Sequence, residues 1–289
     1  MASEVNSFRH QAMNTWFEIS IAGKDAVYAR KAATEAFLEI DRLENLLSRF
    51  REGSDIDILN KRASKEPVRV TEVTWDCLLI ALDLEILTEG VFSIAYESFM
   101  EPGVQVGEST VASWLEMDAD HRTVFFKIPD LTVDLGGVGK GFALDLVANH
   151  LEEWDIESLL IHSGTSSVVA RGGREVDNKG WPISVGADEF PQEIWLKDAS
   201  LSGSSLAVQD SHILDLKSQD VLESERRAWA WAPTGALSDA LSTSFMLLDL
   251  ESIEAICGRL PGLGALVVDP DASIPKSAYG VATDYLNET

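Results

Sequence analysis

The sequence predicts an α+β fold, and two observations on the order of its elements carry this prediction. Two long amphipathic helical patterns stand early in the chain, at residues 25–47 and 71–87. Between residues 158 and 235, short apolar or alternating segments follow one another without a helical pattern between them. Consecutive strands of this kind indicate mixed or antiparallel sheets rather than a regular alternation of strands and helices. We expect one continuous domain over residues 1–289, with up to two lobes.

The first third of the chain is organised by helix caps. A strand at 15–21 precedes the first helix, and Ser54 is a good N-cap for a second one, with Asp57 three residues later. Thr71 caps the helix that runs through Leu87, and Gly90 follows it as a terminating glycine. We expect residues 1–12 to be a flexible N-terminal extension.

The rest of the chain predicts further short strands and three helices. They are a strand at 123–128, a loop and helix over 134–154, strands within 158–172, 181–187, 193–205 and 226–235, helices at 236–247 and 252–260, and a late strand at 264–269.

Charge and composition limit the classes of function. The 289 residues carry a net charge of -25, which disfavours nucleic acid and anionic membranes as partners. Cys77 and Cys257 belong to no metal-binding or disulfide pattern, so we expect free thiols in a reducing compartment. The chain shows no signal peptide at its start and no apolar run of about 20 residues. These features predict a cytoplasmic protein without membrane insertion.

The segment 133–145, VDLGGVGKGFALD, is the first candidate site. Gly139 and Lys140 form the GK pair of a P-loop, but Asp134 stands where a P-loop has glycine, and the glycine spacing also fails the dinucleotide fingerprint. A helix N-terminus beside a lysine favours phosphate binding. A plain glycine-rich turn with a solvated lysine explains the same residues, and the segment alone leaves both interpretations open.

A second candidate site lies at LSDALSTSF, where Asp239 and Thr243 are four residues apart. On a helix they share one face, and their oxygens suit Mg²⁺ or Ca²⁺. The alternative is a helix start with Ser238 or Asp239 as cap and Thr243 bonded to a backbone carbonyl. His212, in DSHILDLK, is a third candidate, as a general base or as a surface histidine.

Taken in order, these segments resemble the ApbE-like FAD:protein FMN transferases. DLGGVGKGFALD is similar to that family's DLGGxAKGxAxD signature, and LSDALSTSF is similar to its second signature. LSRFREGSDIDILN, TEGVFS and HILD resemble three further family segments in the same order. The resemblance implies an ApbE-like, T-fold-like structure in which mixed or antiparallel sheets pack against long helices.

The resemblance also implies an activity: Mg²⁺-dependent transfer of FMN from FAD to a Thr or Ser hydroxyl of an acceptor protein, with release of AMP. The metal ligands would be Asp239, Thr243 and the Gly139 carbonyl, Lys140 would face the diphosphate, and His212 would be the general base. Asp134 and Asp145 would order the loop. The residues implied to contact the cofactor are Met13, Ser93, Gly137, Gly139, Lys140, Gly164, Thr165 and His212.

Several segments depart from the family pattern on the flavin side. The chain has Met13-Asn14-Thr15 for M-G-T, FSIA at 92–95 for F-D-P-T, Gly164-Thr165-Ser166 for G-G-D, and Leu216 for a proline. These departures keep two alternatives open. One is a divergent member that binds FAD or another nucleotide without transfer, and the other is an enzyme that hydrolyses FAD to FMN and AMP.

Overall fold

The computed structural model describes residues 5–96, 98, 110–175, 179–186, 191–205, 226–269 and 276–287. Their largest element is an eight-stranded antiparallel sheet with the strand order β1-β2-β6-β7-β10-β11-β12-β13. Its strands are β1 (Val5–Ala12), β2 (Thr15–Ala22), β6 (Leu159–Ser163), β7 (Ser167–Arg171), β10 (Ala199–Ser205), β11 (Arg227–Ala232), β12 (Gly264–Val268) and β13 (Lys276–Gly280). The α+β prediction is confirmed.

Two smaller antiparallel sheets and eight helices complete the described elements. A three-stranded sheet contains β3 (Val68–Arg69), β5 (Thr123–Phe126) and β4 (Leu115–Asp118), and a hairpin contains β8 (Trp181–Val185) and β9 (Gln192–Leu196). The helices are α1 (Ala26–Leu47), α2 (Asp55–Arg62), α3 (Glu72–Leu87), α4 (Val111–Trp114), α5 (Gly139–Glu153), α6 (Gly235–Leu247), α7 (Leu250–Arg259) and α8 (Val281–Asn287).

Alternating side chains give the large sheet two covered faces. On one face, residues such as Phe17, Ile19 and Val169 pack against α1 and α5. On the same face, β11 and β12 pack against α6 and α7. On the other face, Val168 and Leu201 pack against the β8–β9 hairpin and α8. Because both faces are buried at β6 and β12, these two strands read in sequence as nearly continuous apolar runs.

A separate core forms around α2, α3 and the three-stranded sheet, and it extends to the beginnings of α5 and α6 through Phe142, Ala143, Ala236 and Ala240. Helices α5 and α6 therefore join both packed regions. The glycine loop at 133–145 and the Asp239–Thr243 helix lie at this junction.

The caps predicted at Ser54 and Thr71 are confirmed, and Asp25 is a further cap that was not predicted. The Asp25 carboxylate accepts hydrogen bonds from the backbone N–H groups of Val27 and Tyr28 at the start of α1. Ser54 Oγ accepts from Asp57 N at 3.0 Å, and Thr71 Oγ1 accepts from Thr74 N. Each cap satisfies an N–H group that has no partner within its own helix.

The prediction of a flexible extension over residues 1–12 is wrong for residues 5–12. These residues form β1, which pairs with β2 along its whole length. A two-residue turn joins the strands, and both Met13 (φ 47°) and Asn14 (φ 57°) lie in the left-handed region. Such a turn matches the twist of a hairpin, but Met-Asn lacks the glycine that usually marks it in sequence.

Among the residues that the structure describes, none of the helices combines the length and apolarity that a membrane-spanning segment requires.

Candidate functional site

The loop before α5 is held in shape by Asp134. Its Oδ1 accepts a hydrogen bond from Gly136 N at 2.8 Å, and its Oδ2 pairs with Arg49 Nε at 3.0 Å. Its own N–H donates to the Ile94 carbonyl at 2.7 Å, which ties the loop to the FSIA segment. Asp134 thus makes the ordering contacts that the resemblance implies for it.

Asn60 fixes the strand-like residue that leads into this loop. Its Nδ2 donates to the Val133 carbonyl at 2.9 Å, and its Oδ1 accepts from Val133 N at 2.8 Å. The amide side chain thereby makes the two hydrogen bonds that a neighbouring strand would make, and it satisfies both backbone groups of Val133.

Asp145 connects α5 to the beginning of α6. Its two carboxylate oxygens accept hydrogen bonds from Gly235 N at 2.6 Å and Ala236 N at 2.9 Å. Burial raises the pKa of Asp145 to about 6, and the two backbone hydrogen bonds oppose this rise. The last residue of the first signature therefore holds the helix that carries the second.

Asp239 lies inside α6 and is almost fully buried, with 6% of its surface exposed. Its Oδ2 accepts from Gly141 N at 3.0 Å, and its Oδ1 accepts from Ser167 Oγ at 2.9 Å. Thr234 is the N-cap of α6, so the alternative in which Ser238 or Asp239 caps the helix is wrong. Thr243 follows one turn later, and its Oγ1 lies 3.2 Å from Ser204 Oγ.

The environment of Asp239 fits a cation. Its partners are a backbone amide and a hydroxyl, both neutral, and none of the ion pairs in the described part of the chain includes it. A buried carboxylate without a positive partner is costly, so a bound cation would relieve this cost. No cluster of three or more His, Cys, Asp or Glu side chains among the described residues could hold a metal. A cation here would therefore use hydroxyl and carbonyl oxygens beside the one carboxylate.

A cleft of about 170 Å³, open to solvent, lies against the loop. Its walls come from the β1–β2 turn, the end of α1 and the loop itself: Met13, Asn14, Glu44, Leu47, Ser48, Arg49, Phe50, Asp134, Leu135, Gly136, Gly139 and Lys140. Lys140 Nζ donates to the Gly136 carbonyl at 3.1 Å. An ammonium group has three donors, so this bond leaves two for a ligand.

The remaining predicted contact residues lie at three different places. Gly164 (φ 59°) and Thr165 form the β6–β7 turn and line a second cleft with His162 and Trp229. Ser93 is buried and its Oγ accepts from Ala95 N at 3.2 Å. Gly137 lies beneath Phe92, whose ring would be 3.2 Å from an added Cβ.

The structure thus brings Met13, Gly139 and Lys140 together in the first cleft. Asp239 is joined to the same loop through Gly141. His212 lies outside the described residues, as does Leu216.

The sequence did not predict the contact of Ser167 with Asp239, or the two hydrogen bonds by which Asn60 holds the backbone of Val133. Ser167 is the first residue of β7, directly after the β6–β7 turn, and its partner Asp239 is 72 residues away. Asn60 ends the LSRFREGSDIDILN segment, so its place in that segment was the available signal.

Comparison with known proteins gives matches over most of the chain. The ApbE family model matches residues 13–267. The chain is 23% identical to the FAD:protein FMN transferase of Escherichia coli K12, covering 96% of this chain and 87% of that protein. It is also 23% identical to the protein of the same name from Treponema pallidum, covering 88% and 82%.

Solved structures share the fold. The flavin transferase ApbE from Vibrio cholerae superposes with a TM-score of 0.83 at 20% identity, covering 98% of this chain and 100% of that one. An ApbE protein from Thermotoga maritima gives a TM-score of 0.82 at 20% identity, covering 98% and 99%. With the family model spanning most of the chain and both signatures joined at one site, the chain belongs to the ApbE family.

Proposed function

We propose that the protein transfers FMN from FAD to a Thr or Ser hydroxyl of an acceptor protein, with Mg²⁺ bound and AMP released. The observation that carries the proposal is the buried Asp239 carboxylate, bonded only to neutral donors and linked through Gly141 to the loop that bears Lys140. The names of the relatives support the same reaction. We further propose that the whole chain acts as one catalytic domain.

The reaction divides into one bond formed and one bond broken. The acceptor's hydroxyl oxygen attacks the phosphorus of the FMN half, and the bond from that phosphorus to the bridging oxygen breaks. AMP leaves with the bridging oxygen, and FMN stays on the acceptor through a new phosphate ester. The hydroxyl proton passes to a base, for which His212 is our candidate.

The residues of the chain supply binding and charge. Asp239, Thr243 and the Gly139 carbonyl would hold Mg²⁺, which offsets negative charge on the diphosphate oxygens when it is bound. Lys140 would pair with the same diphosphate through the donors that Gly136 does not use. Arg49 keeps Asp134 neutralised, so this carboxylate repels the phosphates less than a free one would.

The cofactor contacts remain part of the proposal. Met13 lines the cleft beside the loop, and we propose it for the flavin or adenine ring. Gly137, Gly164, Thr165 and Ser93 are proposed to shape the site through backbone and packing rather than through charge. We also propose a cytoplasmic location without nucleic-acid partners, supported by two buried free cysteines and the acidic composition.

The test incubates the protein with FAD, Mg²⁺ and purified candidate acceptors, and measures AMP by chromatography and FMN on the acceptor by intact mass. We expect both products, and we expect Asp239→Asn and Thr243→Ala to abolish them. Ser244→Ala is the matched control, because Ser244 lies next to Thr243 but donates only to the Ala240 carbonyl of its own helix.

Three other outcomes would change the assignment. Free FMN and AMP without an acceptor would identify a hydrolase. Tight FAD binding without AMP would identify a binding protein. Equal activity in Thr243→Ala and Ser244→Ala would remove Thr243 from the site.

A further inference from the structure

The face of β10 beneath α6 is lined with hydroxyl groups where a core usually has apolar side chains. Ser200, Ser202 and Ser204 alternate along the strand, all are buried, and each contacts a hydroxyl of α6. Ser204 differs from the other two because it contacts Thr243. Its Oγ lies 2.9 Å from Ser242 Oγ and 3.2 Å from Thr243 Oγ1.

The direction of hydrogen bonding in this cluster follows from counting hydrogens. A hydroxyl has one hydrogen to donate, and a carbonyl oxygen has none. Ser242 Oγ lies 2.9 Å from the Asp239 carbonyl and therefore donates its hydrogen there. Ser204 must then donate to Ser242, and Thr243 must donate to Ser204.

This direction determines what Thr243 presents to the site. With its hydrogen directed to Ser204, both lone pairs of the Thr243 hydroxyl are available to a cation. A hydroxyl whose hydrogen pointed into the site would repel a cation instead. This series of hydrogen bonds runs from Thr243 through Ser204 to Ser242 and ends on the backbone carbonyl of Asp239. It therefore connects the two candidate ligands on α6.

We propose that Ser204 is a positioning residue for the metal site, which acts by accepting the Thr243 hydroxyl hydrogen and so directing the Thr243 lone pairs to the cation. The inference rests on the proposed function, because it takes Thr243 as a ligand. Partners of this kind, one step removed from a metal, typically change metal affinity about 10- to 100-fold when they are removed.

The test measures Mg²⁺ affinity by isothermal titration calorimetry and Mn²⁺ affinity by electron paramagnetic resonance, on the full chain without FAD. We compare Ser204→Ala with Ser200→Ala. Ser200 is on the same strand and face, and it contacts neither Thr243 nor Asp239. The Ser200→Ala variant loses the hydrogen bonds to the Val168 carbonyl and to Ser238. Thermal melts without metal establish that each variant is folded.

We expect Ser204→Ala to weaken metal binding about tenfold, within the range for such partners, and Ser200→Ala to bind as the wild type does. Ser204→Thr keeps a hydroxyl and should recover most of the lost affinity. Unchanged affinity in Ser204→Ala, with affinity lost in Thr243→Ala, would overturn this inference alone. Unchanged affinity in Thr243→Ala, or no binding by the wild type, would instead overturn the metal site of the proposed function, and the inference with it.

Discussion

Gly141 and Gly235 bring the backbones of α5 and α6 into direct contact. A Cβ added at Gly141 would lie 2.0 Å from the Gly235 carbonyl oxygen, and one added at Gly235 would lie 2.5 Å from the Gly141 carbonyl oxygen. At this crossing Gly141 N reaches Asp239, and Asp145 reaches Gly235 N. The two family signatures meet because neither glycine has a side chain.

Gly141→Ala is expected to destabilise the protein by about 3 kcal/mol or more, because the clash is with backbone that cannot rotate away. The measurement is the free energy of unfolding in urea. Gly258→Ala is the control, since Gly258 lies within α7 and an added Cβ meets nothing within 4 Å. That variant should be neutral or gain up to about 1 kcal/mol from better helix propensity. Similar stability in the two variants would contradict this account of the crossing.

Ser167→Ala is expected to cost about 1.5 to 3 kcal/mol, because it removes a hydrogen bond to the buried Asp239 carboxylate. Ser163 provides the control on the neighbouring strand. It pairs with Ser167 in the β6–β7 register, and its buried Oγ has no hydrogen-bond partner among the residues that the structure describes. Ser163→Ala should therefore leave the unfolding free energy unchanged or raise it. Equal losses in the two variants would show that the strands, and not the bond to Asp239, determine the effect.

Asp145 gives the stability a pH dependence. Its pKa is raised from 3.8 to about 6 in the folded protein, so folding favours the protonated form. The stabilisation from this group is complete below pH 3.8 and is lost as pH rises through about 6. The loss is about 3 kcal/mol at most, at 1.36 kcal/mol for each unit of pKa.

The measurement for Asp145 is the unfolding free energy between pH 4 and 7 in the wild type and in Asp145→Asn. The variant loses an acceptor for one N–H group and should be less stable at low pH, but its curve should lack this decrease. Parallel curves would assign the pH dependence to other groups.

Lys140→Met should weaken FAD binding about tenfold, which corresponds to about 1.4 kcal/mol, because it removes a charge-assisted contact and keeps most of the side-chain volume. Riboflavin, which lacks phosphate, is the matched ligand. Its affinity should not change, and the FAD affinity of the variant should depend less on salt than that of the wild type. A parallel loss of both ligands would indicate a packing role for Lys140.

The features that sequence could predict are those whose causes lie within a few residues. Ser54 and Thr71 each cap a helix through a hydrogen bond to a residue three positions later, so their roles could be predicted. The β1 strand was missed because Val5 and Phe8 are its few large apolar residues, and because Met13 occupies a turn position where glycine or asparagine is usual.

The candidate site depends on contacts that no local pattern encodes. Ser167 and Gly141 reach Asp239 across 72 and 98 residues, and their meeting requires β7 to lie beside β10 under α6. From the sequence, only the family resemblance indicated that the two signatures belong to one site, and no periodicity did.

The FSIA segment, which departs from the family pattern in sequence, has a structural role at the glycine loop. Ile94 and Ala95 are buried, and the Ile94 carbonyl accepts from Asp134 N, so this segment supports the glycine loop through its backbone.

The bond between Gly141 N and Asp239 Oδ2 has a consequence for biosynthesis. The ribosome must add Asp239, 98 residues after Gly141, before this contact can form. A nascent chain that has just completed the glycine loop does not yet contain the Asp239 carboxylate, and strands β6, β7 and β10 to β13 must still form before the sheet under α6 is complete. Chains released early would therefore lack the proposed cation site, which ties any activity on FAD to completed synthesis and folding.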